Sequence, residues 1–382
     1  SGDFAASLRK SLGEGNRGRF VGLQVDTCKE WFSMFWGLLQ AGYNPLLLSA
    51  SLNEEMTEFM LREAGACGVI ARGLRSLPKD VVQIDAETLF LSPAAPDFAP
   101  DWADKVALCT SGSTATSRIF VYDQAAICEQ VLNSDLLHKA NPRIVNHHMQ
   151  RNLAFLPFHR VFGFMVCVMW CNFIGYETVF IKDRAPETVL GTIRRFRVNF
   201  LCAVPLLANS LSTGLNRKVA QQKPVKRAAF RLMKGLSLAL QDVAPAFGMD
   251  FARKVLFKSV NAQLLGPDMN CVILGGSHTP REHMRNIAAL GYFTTCGFGM
   301  TETAITSAEI GMRLHTRTTG SVGRPFSSVE YKVESDGKHS NTGEMLIRGR
   351  SVHTGQLKGG KLLPPDLDGQ GWYRTGDIVR LE

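Results

Sequence analysis

The 382-residue sequence lacks the cysteine and histidine spacings that bind structural metals. Its nine cysteines are odd in number and form no CxxC pair, and its nine histidines show no zinc spacing. Cys167 and Cys171 lie four positions apart in an apolar stretch and are predicted to be buried, whereas His147 and His148 are predicted to be a surface pair. We therefore expect reduced thiols and a cytoplasmic location.

No apolar run is long enough to span a bilayer. The longest, residues 161–174, contains Asn172 and predicts a buried helix instead. No secretory signal is visible. The net charge is +9, from 43 basic and 34 acidic residues, but no nucleic-acid-binding module and no interleaved aromatic residues accompany it. We therefore expect no nucleic-acid partner.

Short apolar runs alternate with helical periodicity. A strand is predicted at 20–25 and a helix at 27–41, and the same rhythm returns at 104–206. Such alternation predicts an α/β fold with doubly wound, mainly parallel sheets. After about residue 315 the periodicity changes to short alternating segments typical of antiparallel strands. The predicted units are a first α/β subdomain at 1–105, a second at 106–314 and a β subdomain at 315–382.

Residues 109–120 (CTSGSTATSRIF) are the most informative stretch. Five small or hydroxylated residues, 110–114, follow an apolar strand-like run, and Arg118 comes four positions later. Small side chains let backbone N–H groups approach phosphate oxygens, and arginine adds a planar fork of donors. The Walker pattern GxxxxGK[ST] is absent. The stretch therefore predicts an anion-binding loop of another kind.

This loop resembles the phosphate loop of the adenylate-forming superfamily, which includes acyl-CoA synthetases, luciferases and non-ribosomal adenylation domains. The pattern T-S-G-[ST]-[ST]-G-x-P-K-G matches at 110–114, but Ala115 replaces the second glycine, Ser117 the proline, Arg118 the lysine and Ile119 the last glycine. If position 115 needs a positive φ, alanine strains the loop, and we expect weaker ATP binding but not its loss. Seven further segments resemble the family in the same order: 156–163 (LPFHRVFG), 204–205 (VP), 274–277 (LGGS), 296–302 (CGFGMTE), 320–325 (GSVGRP), 343–349 (GEMLIRG) and 371–377 (GWYRTGD).

The resemblance implies the large AMP-binding domain of such an enzyme. It places a small distorted β-barrel after residue 315. It also implies a mobile C-terminal domain, which carries a lysine that contacts the reacting groups and which this chain lacks. We therefore expect the chain to be the large domain alone, working with that partner domain.

The resemblance also implies the nucleotide site. The loop and Arg118 would hold the β- and γ-phosphates, and Thr301 would reach the α-phosphate. Glu302 and Thr110 would place Mg²⁺, and Asp377 would bind the ribose. Phe298 would stack on adenine between two glycines that admit the ring. The implied ATP-binding residues are Thr110, Ser111, Gly112, Ser113, Thr114, Arg118, Gly276, Ser277, His278, Cys296, Gly297, Phe298, Gly299, Thr301 and Asp377.

His159 belongs to the LPxxHxxG-like segment, and the resemblance implies that it lies beside the carboxylate being activated. With Thr110, Glu302 and Arg118 it makes up the implied catalytic set. The apolar tail of the acid would run past 162–164 and 204–207.

Residues 217–258 carry ten basic and two acidic side chains and predict two amphipathic helices. A basic helical insertion here resembles long-chain fatty acyl-CoA synthetases more than the aryl-acid or amino-acid branches. It is either a solvated helix face or a surface for an anionic membrane or for the phosphates of coenzyme A.

The main hypothesis is therefore ATP- and Mg²⁺-dependent activation of a carboxylic acid, especially a fatty acid, to an acyl-adenylate and then to a thioester of coenzyme A. One alternative keeps the adenylation but transfers the acyl group to a phosphopantetheinyl carrier protein. A second alternative, of a different class, is a nucleotide- or acyl-binding domain without turnover.

Overall fold

The computed structural model describes residues 2–73, 77–91, 98–110, 117–144, 150–335, 337 and 341–381. The strands are β1 (Phe20–Gln24), β2 (Asn44–Leu47), β3 (Gly68–Ala71), β4 (Val82–Asp85), β5 (Lys105–Cys109), β6 (Ile119–Asp123), β7 (Arg151–Leu153), β8 (Glu177–Val179), β9 (Phe200–Ala203), β10 (Cys271–Leu274), β11 (Phe293–Met300), β12 (Ala304–Ala308), β13 (Arg324–Pro325), β14 (Val329–Ser335), β15 (Thr342–Gly349), β16 (Gly355–Lys358), β17 (Lys361–Leu363) and β18 (Tyr373–Arg380). The α-helices are α1 (Gly2–Leu12), α2 (Glu30–Ala41), α3 (Glu54–Ala64), α4 (Gln124–Ala140), α5 (Cys171–Ile174), α6 (Pro186–Arg195), α7 (Pro205–Ala220), α8 (Pro224–Val243), α9 (Pro245–Phe251), α10 (Lys258–Asn261), α11 (Arg281–Ala289) and α12 (Leu314–Thr318).

Local sequence signals explain the borders of the first elements. All five residues of β1 are buried, as expected for a strand covered on both faces. Helix α2 ends at Gly42, whose φ of 89° is accessible to glycine without strain. Helix α3 begins after Asn53, whose side chain accepts a hydrogen bond from the Met56 backbone N–H.

Among the described residues the first sheet has eight strands in the order β17-β16-β6-β5-β2-β1-β3-β4, and the second has seven in the order β13-β12-β11-β10-β9-β7-β8. Pairs from β1 to β5 and from β7 to β11 are parallel, whereas the outer pairs β5–β6, β6–β16, β16–β17, β11–β12 and β12–β13 are antiparallel. The predicted α/β class with mainly parallel sheets is confirmed.

The last part of the chain differs from the predicted barrel. Strands β14, β15 and β18 form a three-stranded antiparallel sheet among the described residues. The hairpin β16–β17 instead pairs with β6 and extends the first sheet, and β13 pairs with β12 in the second. Residues after 315 are thus shared among all three sheets, and a closed barrel is not seen in the described part of the chain.

The predicted helix at 161–174 is a π-helix, Gly163–Trp170, followed by α5. Its Phe164 ring packs 5.3 Å from Phe35 of α2, and Phe158 packs 5.2 Å from Trp31 of the same helix. These aromatic contacts fix the segment on both sides of His159.

The basic stretch at 217–258 contains the end of α7, all of α8 and α9, a π-helix (Ala252–Leu256) and the start of α10. No helix in the described ranges is both long and apolar enough to cross a membrane.

Candidate active site

Two hydrogen bonds close the neck of the predicted phosphate loop, which connects β5 to β6. The Thr110 backbone N–H donates to the Arg118 carbonyl oxygen over 3.0 Å, and the Arg118 N–H donates to the Thr110 hydroxyl oxygen over 2.9 Å. The neck lies at the carboxyl end of β5, where open α/β sheets commonly bind ligands. Other predicted residues of the loop lie outside the described residues: Ser111, Gly112, Ser113, Thr114 and Ala115.

The Arg118 side chain contacts Glu302, which is distant in sequence. Arg118 Nη2 lies 3.1 Å from Glu302 Oε1, and the side chains are 52% and 7% exposed. Burial raises the pKa of Glu302; Arg118 opposes this rise and the Asp377 carboxylate adds to it. Asp377 itself is exposed on β18. The Asp377 carboxylate is therefore close enough to Glu302 to act on its pKa, and a bound cation would relieve the repulsion between the two carboxylates.

Residues to which the sequence assigned no role in the site hold the backbone of Glu302 and Thr301. His353 donates its backbone N–H to the Glu302 carbonyl oxygen over 3.3 Å, and its Nδ1 bonds to the same oxygen. A carbonyl can only accept, so Nδ1 carries the proton. The His353 ring packs edge-on to Tyr373, 5.6 Å away. The Tyr122 hydroxyl donates to the Thr301 carbonyl over 2.7 Å.

The turn after β10 lies beside β11. Leu274 pairs with Cys296 in parallel register, so the residues that follow each strand are neighbours. In this turn Gly276 has a φ of 90°, which favours glycine. Gly276, Ser277 and His278 are exposed.

The glycines of β11 have a structural reason that differs from the one implied by the sequence. A Cβ on Gly297 would lie 2.8 Å from the Ser307 carbonyl oxygen, and one on Gly299 would lie 2.4 Å from the Ala304 carbonyl oxygen. Both contacts are too short for real atoms. The close approach of β12, with a bulge after Phe298, therefore requires these glycines without any adenine ring.

Cys296 points into the core. Its Sγ lies 3.5 Å from Met284 Sδ, and burial raises its pKa to about 11, with a hydrogen bond to Thr279 opposing the rise. The Cys296 thiol is thus buried, whereas Gly276, Ser277 and His278 are exposed, and its contact with adenine stays a prediction.

His159 lines a cavity of about 90 Å³ together with Thr110, Ser117 and Arg160. Burial lowers the pKa of His159 to about 4, and the Arg160 and Arg184 guanidiniums act in the same direction. The imidazole is therefore neutral near pH 7. Further lining comes from an apolar set that the sequence analysis did not select: Leu47, Leu48, Leu52, Met56 and Met60.

The predicted path of the acyl tail receives less support. The Phe162 ring lies next to Gly275, because a Cβ added to this glycine would be 3.0 Å from the ring. Phe164, in contrast, is fully buried against Phe35. Leu206 is mostly exposed. The lining of an acyl pocket at 162–164 and 204–207 stays a prediction.

The residues present fit Mg²⁺ held jointly with a substrate. Within the described ranges no cluster of three His, Cys, Asp or Glu side chains could hold a metal alone. Mg²⁺ often binds through one or two carboxylates plus substrate phosphates and water. The buried Glu302 carboxylate and the Thr110 hydroxyl at the neck of the predicted phosphate loop suit that mode of binding.

Two mainly parallel sheets with helices between their strands, and the contact between Arg118 and the buried Glu302 at the neck of the predicted phosphate loop, describe an α/β molecule with a candidate nucleotide site. The family model for AMP-binding enzymes matches residues 1–357, so the chain belongs to the AMP-binding enzyme family. Long-chain-fatty-acid–CoA ligase 1 of Schizosaccharomyces pombe is 22% identical over 426 residues, covering 99% of this chain and 61% of the ligase. The chain spans less than two thirds of the length of the curated long-chain-fatty-acid–CoA ligases 1 and 2 of Schizosaccharomyces pombe.

Solved structures show the same fold. The N-terminal domain of FACL13 from Mycobacterium tuberculosis superposes with a TM-score of 0.72 at 19% identity, covering 100% of this chain and 88% of that one. The o-succinylbenzoate coenzyme A synthetase of Bacillus subtilis, in complex with ATP and magnesium ion, gives 0.71 at 19% identity, covering 100% and 70%.

Proposed function

We propose that this chain is the large domain of an ATP-dependent acid–thiol ligase. It would join a carboxylic acid, in particular a fatty acid, to AMP and then to the thiol of coenzyme A. The observation that carries the proposal is the contact between Arg118, at the neck of the phosphate loop, and the buried Glu302.

In the first step a carboxylate oxygen forms a bond to the α-phosphorus of ATP, and the bond to pyrophosphate breaks. In the second step the thiol sulfur attacks the acyl carbon, the thiol proton is lost and AMP leaves. The carboxylate is already a nucleophile, so the first step needs no general base. Its barrier comes from bringing anions together, and positioning with electrostatic stabilisation must lower it.

Arg118 and Glu302 suit that task. Arg118 is half exposed and can turn its guanidinium toward phosphate oxygens. Glu302 and Thr110 would hold Mg²⁺, which would offset phosphate charge when bound. The bonds from His353 to the Glu302 carbonyl oxygen keep the carboxylate's backbone in place while Arg118 exchanges partners.

His159 would orient the acid. Because its pKa is about 4, it offers a neutral ring to the substrate and does not form an ion pair with the carboxylate. A neutral hydrogen bond positions the carboxylate without lowering its nucleophilicity as much as an ion pair would. The cavity joins His159 to Thr110, so the acid and the phosphates would meet between them.

The fatty acid and coenzyme A are supported by the likeness to a long-chain-fatty-acid–CoA ligase. The proposal includes a C-terminal partner domain, a cytoplasmic location and peripheral membrane contact. A phosphopantetheinyl carrier protein is the alternative acceptor; a product assay that offers each thiol in turn separates the two.

The test is thermal stabilisation by non-hydrolysable acyl-adenylate analogues, from acetyl to palmitoyl and with an aryl form, against AMP alone. A ligand that binds only the native state stabilises it by about 2.7 kcal/mol at a hundred times its Kd. We expect shifts that grow with chain length. Equal shifts with all analogues would contradict the fatty acid, and no shift with any would favour a domain without turnover.

A further inference from the structure

Helix α8 exposes a row of large apolar side chains. Val225, Leu232, Leu236 and Val243 are 79%, 75%, 45% and 87% exposed. Their spacings of seven, four and seven residues place them within an arc of about 40° on a helix with 100° per residue. The row runs for about 27 Å at 1.5 Å per residue. We name these four residues the apolar stripe.

The opposite face of α8 attaches the helix to the protein. The Ser237 hydroxyl donates to the Ala289 carbonyl oxygen over 2.7 Å, and the Gln241 amide donates to the Ala288 carbonyl oxygen over 2.9 Å. Leu238 is buried beside them. A surface helix normally turns its apolar face inward, so an outward apolar row on a firmly attached helix indicates something that covers it.

Basic residues border the apolar stripe. Lys226 and Arg231 are exposed. Around the helix axis, Lys226 lies about 100° from the apolar stripe on one side and Arg231 about 120° from it on the other. Neither forms an ion pair within 4.0 Å in the described part of the chain. Lys223 precedes the helix, and Asp242 is the single acidic residue in the helix sequence. The surface therefore combines apolar area with a net positive border.

We propose that the apolar stripe docks onto an anionic lipid bilayer, with α8 lying in the plane of the headgroups. Interfacial helices bury an apolar face among the acyl chains while flanking cations contact anionic headgroups. A second copy of the chain would bring the same cations against each other, which disfavours that occupant. The proposal specifies the residues and lipid charge for the membrane contact, and it does not rest on the ligase chemistry.

Co-sedimentation of the chain with vesicles tests this. One set contains phosphatidylcholine alone, and the other contains phosphatidylcholine with phosphatidylserine. We expect binding to the anionic vesicles that weakens with salt. Leu232→Gln with Leu236→Gln should lower the partition coefficient at least about tenfold. Lys226→Gln with Arg231→Gln should lower it about thirtyfold on anionic vesicles, from about 1 kcal/mol per charge.

Matched controls lie elsewhere on the surface. Leu132 and Leu136 of α4 have the same spacing and are 54% and 38% exposed, and their glutamine variants should bind like the wild type. Unchanged binding of the α8 variants, or no binding of the wild type to anionic vesicles, would overturn the proposal. The proposal would also be overturned by a wild-type dimer in gel filtration that dissociates only in the α8 leucine variant, because a second copy of the chain would then cover the apolar stripe.

Discussion

Replacing Arg118 by alanine should weaken the binding of Mg²⁺–ATP about 10- to 100-fold. A hydrogen bond between ionised groups contributes about 1.5–3 kcal/mol, and each 1.4 kcal/mol is a factor of about ten. The unliganded protein should lose at most about 1 kcal/mol, because Arg118 is 52% exposed and water screens its pair with Glu302. The change should therefore affect affinity far more than stability.

Calorimetric titration of Mg²⁺–ATP measures the affinity, and a thermal melt measures the stability. Arg350→Ala is a matched control, because Arg350 Nη2 lies 3.0 Å from Glu129 Oε1 in another surface pair. Arg118→Lys keeps the charge and should retain most of the affinity. An Arg118→Ala dissociation constant equal to that of Arg350→Ala would show that Arg118 does not hold phosphate.

Three further outcomes follow from burial and packing. Glu302→Gln should raise the melting temperature of the unliganded chain and weaken Mg²⁺-dependent ATP binding. Burial raises the pKa of Glu302, so its ionisation lowers the stability of the wild type at pH values above that raised pKa. Melts over a pH series should therefore show that the gain in the variant disappears as the pH falls below 4.5, the ordinary pKa. The pKa of His159 is lowered from 6.5 to about 4, so on acidification the unfolded chain takes up a proton there before the folded chain does. The free energy of unfolding of the wild type should therefore fall by about 2 kcal/mol between about pH 7 and about pH 5. Denaturant unfolding at the same pH values should show a smaller fall for His159→Gln. Gly299→Ala should destabilise the fold by about 2 kcal/mol or more, because its Cβ would lie 2.4 Å from the Ala304 carbonyl oxygen. In the control Gly214→Ala on α7, the Cβ meets no atom within 4 Å, and the free energy of unfolding should rise by up to about 1 kcal/mol. Denaturant unfolding measures both changes.

The sequence predicted the sheets well because their signals are local. The strand at 20–25 and the helix at 27–41 appear as β1 and α2, shifted by up to three residues at their borders. Motif resemblance also selected Arg118 and Glu302, which meet although 184 positions separate them. The roles assigned to these residues stay predictions, as do the domain boundaries.

Other features have no local signal. His353 belongs to none of the motifs, and only the tertiary fold brings it to Glu302. Tyr122 also lies outside the motifs, and Tyr373 lies inside the 371–377 segment, but no motif indicates that His353 is its neighbour. The periodicity of α8 predicted an amphipathic helix, but a period states how residues share a face and not which face points outward.

The support of Glu302 by residues 353 and 373 has a consequence for protein synthesis. A nascent chain that has emerged as far as α12 already contains Arg118 and Glu302, but it contains neither the imidazole that bonds to the Glu302 carbonyl oxygen nor the tyrosine packed behind it. Strand β6 also lacks its outer neighbour until β16 has been synthesised. The candidate nucleotide site is therefore completed late in translation, and until then the exposed edge of β6 is a region for chaperones to protect.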